Sequence, residues 1–67
     1  MEPIQINGYD TYFDERQDRI GKYLLIAVPP HAGKEISDIC GTIVNGHLIT
    51  QIDYQHIESA TFIKAYY

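Results

Sequence analysis

Ile39-Cys40-Gly41-Thr42-Ile43-Val44-Asn45-Gly46-His47-Leu48-Ile49-Thr50-Gln51-Ile52-Asp53 is the stretch that decides the fold class. Two β-rich runs flank Asn45-Gly46. Asn-Gly is the strongest short-range hairpin signal, because both central residues of a type I′ turn need positive φ. A two-residue loop sets the register: Val44 faces His47, Ile43 faces Leu48, Gly41 faces Thr50 and Ile39 faces Ile52. Alternation along each strand assigns Ile39, Gly41, Ile43, Leu48, Thr50 and Ile52 to the core face. The other face carries Asp38, Cys40, Thr42, Val44, His47, Ile49, Gln51 and Asp53, and is expected nearer solvent. Asp38 would oppose Asp53, a like-charge pair that frays the ladder or attracts a cation.

Working outward, Asn7-Gly8 repeats the hairpin signal between Ile4-Gln5-Ile6 and Tyr9 to Phe13, pairing Ile6 with Tyr9 and Ile4 with Thr11. Asp14 to Gly21 is charged. Asp14 as a cap and Gly21 as a stop fit a short helix there, or a polar turn. Lys22 to Val28 is apolar on both faces and reads as the central strand. Pro29-Pro30 ends it, because proline cannot donate to a ladder, and Pro29 to Ser37 is expected as a loop. A turn around His56 to Ala60 precedes a last strand from Thr61 to Tyr67. The expected fold is mainly β (or α+β): one domain over residues 1–67, an antiparallel sheet of five to six short strands, and at most one short helix near residues 14–21.

From Lys22 to Tyr66, the order strand, glycine-bearing strand (Gly41-Thr42-Ile43-Val44), tight turn, strand, short turn and final strand resembles SH3-like and Sm-like barrels. The resemblance is architectural. It implies a small, strongly curved barrel, and it implies a nucleic-acid-binding module as one function.

Composition narrows the function by exclusion. The 67 residues carry 5 Lys+Arg against 9 Asp+Glu, a net charge of -4, with 45% hydrophobic and 21% charged residues. That balance is globular rather than disordered. The apolar run Leu24 to Val28 is far below the about 18 residues of a membrane span. Cys40 is the only cysteine, which rules out a disulfide framework. With no basic leader visible, a reducing, cytoplasmic setting is expected. A domain this short buries only about 60% of its unfolded surface. Apolar residues on both faces of the last strand therefore point to a homodimer, a higher homo-oligomer or a partner that completes the core.

No constellation supports catalysis, and no enzymatic activity is expected. Gly33-Lys34 lacks the remaining phosphate-loop residues: Val28 stands where a glycine is needed and Glu35 where Ser or Thr would hold magnesium. His31, His47 and His56 lack metal-pair spacing, and Cys40 supplies one thiol, so no metal or cofactor is expected. The scattered Arg16, Arg19, Lys22, Lys34 and Lys64 form no basic stripe, which disfavours nucleic acid. Six tyrosines stand out, because tyrosine gives large contact area at low entropic cost. The expected function is a small protein-binding module. One form of it is a phage- or bacterium-encoded stoichiometric inhibitor or regulator of a larger protein. The candidate partner-binding residues are Tyr9, Asp10, Tyr12, Asp14, Glu15, Asp18, Tyr66 and Tyr67, together with any exposed sheet edge. The alternatives are the nucleic-acid module just named and a small-ligand binder at a dimer interface.

Overall fold

A computed structural model describes residues 1–67. Seven strands and one helical turn follow in order: β1 (Glu2–Ile6), β2 (Tyr9–Gln17), β3 (Lys22–Ala27), α1 (Lys34–Ser37), β4 (Ile43–Val44), β5 (His47–Leu48), β6 (Gln51–Ile57) and β7 (Ala60–Tyr66). Five of the strands form one antiparallel sheet in the order β1-β2-β3-β7-β6, and β4 and β5 form a separate two-stranded ladder. The doubly apolar strand β3 lies at the centre, as its sequence requires. The sheet does not close: β1 and β6 are its two edges. The barrel implied by the SH3-like and Sm-like resemblance is therefore not formed.

Both Asn-Gly turns appear where expected. Asn7 and Gly8 have φ of 50° and 87°, Asn45 and Gly46 of 52° and 81°, the left-handed pair that a type I′ turn needs. Ile6 pairs with Tyr9 and Ile4 with Thr11. The helix expected near residues 14–21 is absent. Strand β2 continues to Gln17 and pairs with β3 from Phe13↔Ile26 to Gln17↔Lys22. Asp18, not Asp14, caps the local structure: its carboxylate accepts the Ile20 and Gly21 amides at 2.9 and 3.2 Å. That is an Asx turn, which reverses the chain instead of starting a helix. The only helical turn is α1, inside the segment expected as loop.

The central hairpin has the expected register at its tip and the opposite facing. Ile43↔Leu48 and Val44↔His47 pair as read, yet Ile43 and Leu48 are 72% and 55% exposed while Val44 and Ile49 are 7% and 0% exposed. The cause is a bulge. The Thr42 amide donates to the Ile39 carbonyl at 3.0 Å across a tight turn with Gly41 at φ 83°, and the Gly41 amide donates to Ile49 at 2.8 Å. The Ile49 amide donates to Thr42 at 2.9 Å, so Gly41 and Thr42 together oppose Ile49, and one extra residue inverts the alternation. Ile39 stays inside, and Val44 rather than Ile43 joins it. Past Ile49 the chain leaves β4 altogether. The Thr50 amide donates to Tyr66 and β6 pairs with β7 from Gln51↔Tyr66 to Ile57↔Ala60. Asp53 consequently faces Lys64 rather than Asp38, and the expected acidic pair does not exist. The last hairpin turns at Glu58-Ser59, tighter than the expected turn over His56 to Ala60.

The segment between β3 and β6 folds over one sheet face. Ala32, Ile36, Ile39, Val44 and Ile49 pack there against Ile6, Phe13, Leu24, Ile26, Ile63 and Ala65 in one core. No element covers the other face, where Tyr23, Leu25 and Tyr66 form a second, smaller cluster with Phe62 against it. Truncating the two neighbours in β5 and just beyond separates the observed facing from the alternating one. Ile49→Ala should cost about 2–5 kcal/mol, and Leu48→Ala should stay within about 0.5 kcal/mol, measured by urea unfolding.

Candidate functional site

The eight candidate residues are spread over both faces and one turn. Alternation along β2 puts Asp10, Tyr12 and Asp14 on the open face and Tyr9, Thr11, Phe13 and Glu15 on the covered side. Tyr9 packs against the main core, with its ring 5.6 Å from that of His31. Asp10 accepts a hydrogen bond from Gln5 Nε2 at 3.4 Å. Tyr12 is exposed. Asp14 is already neutralised, by the N-terminal ammonium at 3.4 Å and by Arg16 at 3.2 Å. Glu15 is exposed. Tyr67 is half-buried and stacks on His47, ring centroids 3.8 Å apart and planes 11° apart. The acidic residues near the first hairpin therefore do not form one surface.

Asp18 and Tyr66 meet instead inside a network that closes the open face. The Tyr66 hydroxyl donates to Asp18 Oδ2 at 2.9 Å, and Lys64 Nζ lies 3.2 Å from the same oxygen. Lys64 also sits 4.9 Å from the centre of the Tyr23 ring, a cation–π distance. Tyr23 and Tyr66 pack with ring centroids 5.3 Å apart and planes tilted by 54°. Burial tends to raise the Asp18 carboxyl, but the bonds from Tyr66, Lys64, Gly21 and Ile20 outweigh it and lower it from 3.8 to about 2. Asp18 raises the Lys64 ammonium above its ordinary range. Burial, and then the bond to Asp18, raises the Tyr66 hydroxyl. Tyr66 is 5% exposed, so its ring and hydroxyl are engaged within the chain.

The other exposed features lie at the rims. A groove of about 250 Å³ separates β1 from the β4–β5 hairpin and is lined by Ile4, Ile6, Ile39, Ile43 and Val44 among others. The imidazoles bond weakly or stack: His56 Nδ1 is 3.4 Å from Thr61 Oγ1, and no three of the His, Cys, Asp and Glu side chains converge as metal ligands would. No helix is long and apolar enough to cross a membrane.

The two sheet edges differ in how far they are guarded. The two-residue loop makes Ile6↔Tyr9 a hydrogen-bonded pair, so along β1 it is Pro3 and Gln5 whose backbone groups point off the sheet. Pro3 has no N–H to offer there, one of the standard ways an edge is blunted. On β6, the loop at Glu58-Ser59 makes Ile57↔Ala60 the bonded pair, and alternation turns the N–H and C=O groups of Ile52, Tyr54 and His56 outward. This edge, Gln51–Ile57, contains no proline, lysine or arginine. Tyr54 and Ile57 on it are 51% and 49% exposed. Sequence reasoning missed Tyr54 as a site residue, because nothing local to it says that β6 has a neighbour on one side only.

No protein-family model, curated protein or solved structure matches this chain. Its functional reading rests on the geometry.

The network has a definite pH signature. Ionised Asp18 is the bonded form, so its contribution is complete above its unfolded value of 3.8 and is lost as pH falls through about 2. Protonated Lys64 and Tyr66 are the bonded forms on the alkaline side. Their contribution is complete below their unfolded values of 10.5 and 10.0 and is lost as pH rises through the raised ones. Asp18→Asn should lower the melting temperature at neutral pH and flatten its decline between pH 3.8 and about 2, as followed by circular dichroism.

Proposed function

We propose that this chain is a small, non-enzymatic protein-binding module that takes a strand from a protein partner along β6. One observation carries the reading: a seven-residue edge with no proline, lysine or arginine and a single charge, Asp53, at the far side of a sheet whose other edge is blunted by Pro3. Unpaired backbone groups on such an edge are a template for an extended segment of another chain, with main-chain bonds giving affinity and alternate side chains giving selectivity. Tyr54 supplies the aromatic anchor that interface cores favour. A module of this kind acts by stoichiometry, occupying a partner's strand or holding it in place, which is how a regulator or inhibitor of a larger protein works. One side-chain contact supports the non-enzymatic part of this reading. The hydroxyl–imidazole contact of Thr61 and His56 has no carboxylate bonded to the ring, the third group that nucleophilic catalysis uses. Net charge of -4 weighs against nucleic acid as the partner.

Tyr54→Pro tests this reading directly. It removes an N–H that points off the sheet and leaves the β6–β7 ladder bonds in place. Tagged wild type should retain a stoichiometric protein, either a different protein or untagged copies of this chain added to the nuclease-treated lysate, that the variant does not, with the two forms melting alike. Equal capture by both forms, or capture that disappears with nuclease, would overturn it.

A further inference from the structure

We infer that the strand β6 accepts is the β6 of a second copy of this chain, paired antiparallel about a two-fold axis at Tyr54. This rests on the strand-addition reading and names the partner of the same edge.

Self-complementarity carries the inference. A two-fold dimer must pair a surface with itself, so residue i of one copy meets j of the other and j meets i. The outward-turned groups on β6 belong to Ile52, Tyr54 and His56. One antiparallel register matches all three with themselves: Tyr54 opposite Tyr54 on the axis, and Ile52 opposite His56 on either side. Shifting the axis by one residue toward the N-terminus puts Asp53 opposite Asp53, a like-charge pair whose cross-strand neighbour Lys64 is already paired with Asp18. The opposite shift runs Ile52 against the Glu58 turn and leaves one outward pair unmade. In the favoured register the only charged side chain of the strand, Asp53, lands opposite neutral Gln55. The exposed Tyr54 ring is covered by its mate, an aromatic cross-strand pair of the kind that stabilises antiparallel ladders. Gln51 then faces Ile57, which shelters part of that exposed side chain as well.

The product is one continuous sheet built from two five-stranded sheets. Its outermost strands are then the two copies of β1, both blunted by Pro3, so growth stops at the dimer. That closure distinguishes a specific pair from open-ended edge aggregation. It also supplies what a 67-residue chain without a disulfide lacks, a larger cooperative unit.

Charge-swapped variants at the axis provide the test. Sedimentation velocity of the wild type from low micromolar to millimolar concentration should show a species of twice the 7.7 kDa chain mass growing with concentration. Tyr54→Lys and Tyr54→Glu each place like charges across the axis and should weaken self-association by about tenfold or more. Mixing the two variants should restore the dimer as a heterodimer, which requires residue 54 to face residue 54. Thermal melts of each variant show that the fold survives. A wild type that stays monomeric at millimolar concentration would overturn the inference, as would a dimer that ignores both substitutions or a mixture that stays monomeric. Amide exchange separates this failure from that of the strand-addition reading. Should Ile52, Tyr54 and His56 be slowed only by a different protein, self-pairing falls and strand addition stands. Unslowed exchange there under all conditions, with capture indifferent to Tyr54→Pro, removes both.

Discussion

The structure depends on how a strand apolar on both faces is buried by a chain with enough residues for one covering layer. Strand β3 presents Leu24 and Ile26 to one side and Tyr23 and Leu25 to the other. All four are buried. The segment from Pro29 to Thr50 is spent on the first side. The second side has no layer of its own, so it is sealed by its own strands. Tyr66 leans on Tyr23, Lys64 lies over the Tyr23 ring, and Asp18 ties Lys64 and Tyr66 to the β2–β3 turn. Aromatic and amphipathic side chains suit this task, because each has an apolar body for the sheet and a polar tip for water or a partner.

That solution redistributes the residues that looked like an interface. Asp18 and Tyr66 stand out in the sequence as an acid and a terminal aromatic. In the fold they hold each other. Asp14 is balanced by Arg16 and the N-terminus. What remains unsatisfied is backbone: the outer side of β6. The covering layer explains why. Its hairpin lies beside β1, next to the groove lined by Ile4, Ile6 and Val44, and the covering layer meets β7 and the inner face of β6 through the core, through His47 on Tyr67 and through Thr50 on Tyr66. Nothing reaches the outer side of β6.

The bulge at Gly41 is the pivot between the two layers. An unbroken ladder from Ile39 to Asp53 would have kept β6 with β4 and buried Ile43 and Leu48. One glycine at positive φ inserts an extra residue, turns Val44 and Ile49 inward, and releases the chain after Ile49 to join β7. Without that release β7 would be the sheet edge, and the candidate interface would be a different strand.

Local signals in the sequence were sufficient for what is decided locally. Asn7-Gly8 and Asn45-Gly46 fix their turns because only residues tolerant of left-handed backbone fit there. The doubly apolar run from Lys22 to Val28 identifies the central strand, because both its sides must be buried. Pro29-Pro30 ends that strand for want of N–H donors. Tertiary structure alone decided the rest. Whether the Asp14 to Gly21 stretch becomes helix or strand depends on β3 being available to pair with it. The inward side of the hairpin depends on a single bulge, since strand alternation has period two and one residue inverts it. Which strands become edges depends on the order of the whole sheet, and pairing between distant segments leaves no mark on the sequence of either one. The candidate site is a sheet edge, and for that reason it was the part least legible in the residues themselves.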